Sequence, residues 1–193
     1  MLNWPTRITV ARILLTVVIM TLLFVPGLSA KSWCLALFLL ASLTDWLDGH
    51  LARRLNQVTP LGVLLDPIAD KVLVLGLFIS FVQLRLAPAW MVLLIIAREL
   101  LITGVRLYAA SRRVVISAAL EGKHKTVSQM VAIVVILSAL IVRETPAVAS
   151  TGVATWLPRL ILGGLWIAVI LTVVSGASFF WRHRAVWRHG SAH

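Results

Sequence analysis

Thr44-Asp45-Trp46-Leu47-Asp48-Gly49-His50-Leu51-Ala52-Arg53-Arg54, followed shortly by Gly62-Val63-Leu64-Leu65-Asp66-Pro67-Ile68-Ala69-Asp70-Lys71, is where the chain declares itself. Four aspartates stand in it, out of seven acidic residues in the whole chain. Long apolar runs flank the segment on both sides. An acidic residue at the centre of a membrane helix costs about 2.5–3.5 kcal/mol, and such a residue marks a functional site by default. Four of them need compensation, from bound cations or from a position near the wet ends of the helices.

Spacing sharpens this. At 100° per residue, Asp45, Asp48, Gly49, Ala52 and Arg53 fall within an arc of about 140° on one helix face. Gly62, Asp66 and Asp70 recur every fourth residue and form a second narrow stripe. A turn at Asn56 to Pro60 would reverse the chain and let the stripes face each other, with Gly49, Ala52 and Gly62 leaving room beside the carboxylates. Hard oxygen ligands of this kind suit Mg²⁺ or Mn²⁺. Four carboxylates can hold two such ions, and a metal pair clamps the attacking and leaving oxygens of an in-line displacement at phosphorus.

The rest of the chain supplies the setting. Of 193 residues, 60% are hydrophobic, and the mean hydropathy is +0.98, which indicates a polytopic membrane protein and excludes an ordinary soluble domain. The single cysteine, Cys34, lies in an apolar run, so no intrachain disulfide forms and a buried thiol is expected. The net charge of +11 could serve nucleic acid. Here the cations gather at the ends of apolar runs, which speaks for membrane orientation and against a nucleic-acid partner.

Six apolar runs give the expected fold: an all-α bundle of about six transmembrane helices, with no internal repeat, linker or second domain. The first leads from Asn3–Arg12 to about Pro26; its basic start and Leu28-Ser29-Ala30 imitate a signal peptide, though Leu28 is large for a cleavage site. The others run from about Ser32 to Leu51, Leu61 to Leu84, Pro88 to Ala110, Thr126 to Val142 and Trp156 to Phe180. Pro67 either kinks the third helix or starts it. Arg98-Glu99 is either a structural ion pair or, with Arg106 two turns on, a phosphate-facing set. Gly163, Gly164 and Gly176 permit close helix contact, within the bundle or at a dimer seam. Gly122-Lys123-His124-Lys125-Thr126 lacks the other glycine of a P-loop and follows no strand, so it reads as part of a basic connector. The tail from Trp181 to Arg188 reads as an interfacial anchor on anionic lipid.

Charge bias orients the bundle. With both termini in the cytoplasm, twelve basic residues, from Arg7 and Arg12 to Arg182, Arg184 and Arg188, fall inside, against Lys31, Arg85, Arg143 and Arg159 outside. Trp33, Trp90 and Trp156 then mark the outer interface, and the aspartates lie at the cytoplasmic ends of the second and third helices.

The pattern Asp45-x2-Asp48-Gly49-x2-Ala52-Arg53-x8-Gly62-x3-Asp66-x3-Asp70 resembles the signature of the CDP-alcohol phosphotransferases, integral membrane enzymes of phospholipid synthesis, at all eight fixed positions. Asn3-x-Pro5-Thr6-x2-Thr9-x2-Arg12, Ala97-Arg98-Glu99 with Arg106, and Gly122-Lys123-x-Lys125-Thr126 are similar to the phosphatidylglycerophosphate-forming branch of that family. The resemblance implies transfer of the phosphatidyl group of CDP-diacylglycerol to glycerol 3-phosphate, with release of CMP. It also implies a homodimer in the bacterial inner membrane, with its site on the cytoplasmic side.

In that reading Asp45, Asp48, Asp66 and Asp70 hold two Mg²⁺ or Mn²⁺ ions, and Asp70 is also the general base. Thr9, Arg12, Gly49, Ala52, Arg53 and Gly62 receive the CDP-lipid; for Arg7 and Arg12, snorkelling to headgroups is the rival role. Arg98, Arg106, Lys123 and Lys125 receive the glycerol phosphate, being more cationic equipment than a neutral alcohol needs. A sibling enzyme acting on inositol phosphate, serine or phosphatidylglycerol is the nearest alternative. A divalent-cation transporter, or a purely structural set of interhelical ion pairs, stands further off.

Overall fold

A chain this apolar must satisfy its backbone polar groups within each segment, which favours helices throughout. The structure, a computed structural model, describes the backbone of residues 4–55, 60–111, 121–146 and 152–182. It describes side chains in those ranges except at 4–9, 45–55, 60–70, 110, 121–125 and 153–154. The described residues form six long helices: α1 (Trp4–Phe24), α2 (Leu28–Leu55), α3 (Pro60–Gln83), α4 (Ala89–Ser111), α5 (Glu121–Glu144) and α6 (Val153–Arg182). The expected turn over 56–59, the connector over 112–120 and the tail over 183–193 lie outside the described residues.

The boundaries follow local chemistry. Between α1 and α2 the chain turns at Pro26-Gly27, with Gly27 at φ +110°, a conformation open to glycine. Lys31 is buried at the start of α2, where its Nζ donates to the Leu23 and Val25 carbonyls at 2.5 and 2.8 Å. A lysine there satisfies carbonyls left over at the C-terminal end of α1. Helix α3 ends in a Schellman turn, in which Leu86 N–H donates to the Phe81 carbonyl and Arg85 N–H to that of Val82. Because α3 starts at Pro60, Pro67 lies in its interior, where it removes one hydrogen bond; the helix-starting alternative for this proline does not hold.

One expectation is corrected. Lys123 and Lys125 were assigned to a connecting loop, but α5 begins at Glu121 and takes both into its first turns. Gly122 costs only about 1 kcal/mol there and no proline intervenes, so the helix starts before the apolar stretch that defined it in sequence.

Helix α1 packs on α2 and α3, α5 on α2, α3 and α6, and α4 on α3 and α6. Cys34 Sγ beside the Ile19 carbonyl, Gly76 beside Thr16 and Met20, Gln129 beside Thr172, and Gly164 beside Val135 give successive helices an up-down order. The core is Ile19, Leu23, Phe38, Leu73, Leu77, Phe78, Phe81, Ile95, Ile133, Leu137 and Leu165, with the free Cys34 buried among them. Phe78 and Phe81 meet edge to face at 6.2 Å. Outside it, large apolar residues such as Leu14, Val17, Leu39, Leu93, Leu100, Ile167 and Val174 are exposed on most helices. So continuous an apolar surface belongs against lipid. Thr126–Glu144 and Thr155–Arg182 are long and apolar enough to cross a bilayer; Val10–Phe24, Leu28–Thr44 and Lys71–Gln83 are shorter apolar helices.

Candidate functional site

The helix order sends the start of α3, the end of α4, the start of α5 and the end of α6 to one end of the bundle, with the start of α1 and the end of α2. The residues named in sequence as candidate site residues belong to that half. Asp45, Asp48, Gly49, Ala52 and Arg53 lie on α2, and Gly62, Asp66 and Asp70 on α3, so both halves of the motif are helical and the two stripes keep their register. Their side chains, with those of Thr9, Lys123 and Lys125, lie outside the described residues. Among the described residues no three His, Cys, Asp or Glu cluster as a metal site, but none of the four motif aspartates is in that set. By donor chemistry the four fit a hard divalent ion: each is a carboxylate, paired with another one helical turn away on its own helix.

What surrounds the motif is described. Lys71, next to Asp70, donates from Nζ to the Glu99 carbonyl at 3.2 Å and to Thr103 Oγ1, and lies 4.0 Å from Glu99 Oε2. Thr103 in turn donates to the Glu99 carbonyl at 2.8 Å. These contacts tie α3 to α4 at the level of Asp70 and so fix the stretch of helix that presents it. Glu99 also accepts from Arg98 Nη1 at 3.1 Å, while Arg98 Nη2 donates to Ser175 Oγ on α6 at 2.7 Å. A Cβ at Gly176 would come within 3.2 Å of Arg98 Cγ, so the absent side chain is what lets Arg98 lie against α6. The expected ion pair therefore exists, and it is shared three ways, by Lys71, Glu99 and Arg98.

Among the described residues Glu99 faces both Lys71 and Arg98, and Arg106 stands two turns along α4 with its guanidinium 5.7 Å from the Phe179 ring. The Nε atoms of both Arg98 and Arg106 are buried with no hydrogen-bond partner among the described residues. An unmet buried donor costs about 1–3 kcal/mol, so two on one helix face suit an anion that accepts from them. Arg12 is buried on α1 and engaged in polar contacts, which removes snorkelling as its role. Gln129 on α5 donates to Thr172 on α6 at 3.2 Å, a buried pair that closes the polar layer from the other side.

Sequence reasoning missed Lys71, Thr103, Ser175 and the Gln129–Thr172 pair as parts of this layer. A signal was present: Glu99 and Thr103, and Thr172, Ser175 and Phe179, recur at helical spacing inside apolar runs. Gly164 and Gly176 pack inside the bundle, and Gly163 meets nothing within 4 Å.

Comparison with known proteins agrees with the motif. Residues 2–174 match the CDP-alcohol phosphatidyltransferase family. The chain is 42% identical over 193 aligned residues to the CDP-diacylglycerol–glycerol-3-phosphate 3-phosphatidyltransferase of Bacillus subtilis, covering 93% of this chain and 94% of that one. Proteins of the same name from Rickettsia typhi (36% identical; 93% and 96% covered) and Sodalis glossinidius (33% identical; 95% and 96% covered) are similar along nearly their whole length. With its eight-position aspartate motif carried on two helices and a match over nearly nine-tenths of its length, the chain belongs to the CDP-alcohol phosphatidyltransferase family.

Proposed function

We propose that the protein transfers the phosphatidyl group of CDP-diacylglycerol to glycerol 3-phosphate, giving phosphatidylglycerophosphate and CMP. The observation that carries this reading is the polar layer beside the aspartate motif. There the buried Nε donors of Arg98 and Arg106 have no acceptor among the described residues, which suits an acceptor with its own phosphate. The likeness to relatives that bear this activity in their names supports it.

In the reaction the acceptor hydroxyl oxygen attacks the phosphorus that carries diacylglycerol. The bond from that phosphorus to the CMP oxygen breaks, and CMP leaves with the electron pair. Asp70 takes the hydroxyl proton. Asp45, Asp48, Asp66 and Asp70 would hold two divalent ions, Mg²⁺ or Mn²⁺, whose chemistry is to stabilise negative charge on the departing phosphate. Arg53 neutralises diphosphate charge, and Gly49, Ala52 and Gly62 leave space for the cytidine end, with Thr9 and Arg12 completing the donor side. Arg98 and Arg106 offer their Nε donors to the acceptor phosphate. Lys123 and Lys125 stand in the first turns of α5, where the helix dipole also attracts an anion.

The six helices act as one membrane domain, each spanning the bilayer, with both termini and the aspartate end in the cytoplasm. Acyl chains stay in the bilayer while the headgroup enters. Two copies pair as a homodimer in the bacterial inner membrane. The test is an assay of purified protein with Mg²⁺, CDP-diacylglycerol and labelled glycerol 3-phosphate. Labelled lipid and stoichiometric CMP are expected. Equal or faster turnover with inositol phosphate, serine or phosphatidylglycerol would reassign the acceptor, and no lipid product with any of them would overturn the reading.

A further inference from the structure

A cavity of about 730 Å³ opens at the end of the bundle away from the aspartates. The α3–α4 turn, the last turn of α5 and the first turns of α6 form it. Leu86, Leu140, Leu157 and Ile161 give it an apolar wall, and Arg85 and Arg143 stand at its edge. From Lys125 to Arg143 the axis of α5 runs about 27 Å at 1.5 Å per residue. That is close to the roughly 30 Å thickness of a bilayer's hydrocarbon core, so this cavity is no part of the aspartate site.

The two arginines differ from the cations of the polar layer. Both are exposed, and neither side chain makes a hydrogen bond or ion pair among the described residues. Arg143 sits in the last turn of α5, where a cation complements the helix dipole in any case. Arg85, at the C-terminal end of α3, gains the same complement, so its backbone is what sets it apart. It occupies the left-handed position of the Schellman turn at φ +57°, where glycine is the usual residue and a side chain costs about 1–2 kcal/mol. The turn between α1 and α2 uses Gly27. Backbone strain of this kind persists at binding sites, where the side chain is needed. Arg159, also nearby on α6, lies over the Trp156 ring at 4.9 Å and is occupied there. Trp90 and Trp156 are exposed at the same end, at the level where indole rings meet lipid headgroups.

We propose that this groove binds one anionic phospholipid from the leaflet that faces away from the aspartates, an inference that rests on the membrane placement given above. The lipid phosphate sits between Arg85 and Arg143, whose planar guanidiniums match its oxygens. The acyl chains lie along Leu86, Leu140, Leu157 and Ile161. No carboxylate is among the described residues lining the groove, and Glu144, next to Arg143, accepts from Gly27 N–H at 3.3 Å, so the two cations repel the ammonium of a zwitterionic lipid and accept a headgroup of net negative charge.

Native mass spectrometry of the full-length protein, released from detergent after incubation with dioleoyl phosphatidylglycerol or dioleoyl phosphatidylcholine, tests this. The wild type is expected to retain one phosphatidylglycerol per chain and at least about tenfold less phosphatidylcholine. The double variant Arg85→Gly, Arg143→Gln is expected to lose phosphatidylglycerol by at least about tenfold. Arg85→Gly alone should raise the melting temperature in lipid-free detergent, because strain is relieved, while shrinking the rise that phosphatidylglycerol gives. Phosphatidylglycerol retained undiminished by the double variant would place the lipid elsewhere and overturn the proposal. So would a change from dimer to monomer with lipid count unaltered, which would mean that a second copy covers this face. A melting shift from inorganic phosphate equal to that from the lipid would reduce the groove to an anion site and overturn it too. Transferase turnover of the double variant in phosphatidylcholine should match the wild type. Absence of turnover in the wild type would count against the proposed reaction and leave the lipid counts standing.

Discussion

The two ends of the bundle both carry arginines and use them in opposite ways. At the turn end, Arg85 and Arg143 are exposed beside a largely apolar wall. At the aspartate end, Arg12 and Glu99 are buried, Arg98 and Arg106 are part-buried, and the Nε donors of Arg98 and Arg106 have no acceptor among the described residues. An exposed cation costs little because water solvates it. A buried one must be compensated by a partner. The difference teaches where a charged ligand belongs: the end whose buried Arg98 and Arg106 donors lack an acceptor among the described residues is the end that gains most when an anion arrives.

Asp70→Asn attacks the chemistry itself and should have the largest effect. Turnover is expected to fall about 10²–10⁴-fold, the usual contribution of a positioned base, with the elution profile and melting temperature of the protein retained. Turnover within a few-fold of the wild type would make Asp70 a bystander and leave the two ends chemically alike.

Glu99→Ala strips the shared carboxylate from Lys71 and Arg98. Breaking a buried pair from one side costs about 3–5 kcal/mol, so the melting temperature in detergent should drop sharply. Arg143→Gln at the other end should change it little. Equal effects would erase the contrast between buried and exposed cations.

Lys123→Ala is expected to raise the KM for glycerol 3-phosphate about tenfold or more, the loss of a charged contact of roughly 1.5–3 kcal/mol, with kcat less affected. An unchanged acceptor KM would remove the start of α5 from the site. Gly163→Ala should have the smallest effect. Its Cβ would meet open space, so the variant should gain about 0.5–1 kcal/mol through lower backbone entropy alone. A loss there, read by thermal melting, would mean that another chain packs against that face.

The helices and the motif were readable in sequence because each rests on local pattern. Six apolar runs stop at residues such as Pro26-Gly27 and Pro88, and the aspartate spacing is a property of one helix at a time. The polar layer was only half readable. Arg98-Glu99 stood out as charges in an apolar run, yet nothing local tells that Glu99 also faces Lys71, or that Ser175 and Gly176 make room for Arg98. Those contacts depend on which helices become neighbours. Lys31 looked like an outer-surface cation and is a buried cap on α1, because the tight turn brings the Leu23 and Val25 carbonyls to it. Lys123 and Lys125 looked like loop residues because hydropathy marks where an apolar run ends and not where a helix ends. Arg85 gave no sign at all, since its left-handed backbone is set by the Schellman turn.

At the centre stands the claim that the carboxylates of α2 and α3 act together as a divalent-metal site. Counting Mn²⁺ bound to purified protein by electron paramagnetic resonance addresses it directly. About two equivalents per chain are expected, with Asp66→Asn losing at least one and Arg85→Gly losing none. A wild-type protein that carries transferase activity yet binds no Mn²⁺, or an Asp66→Asn variant with an undiminished count, would contradict it.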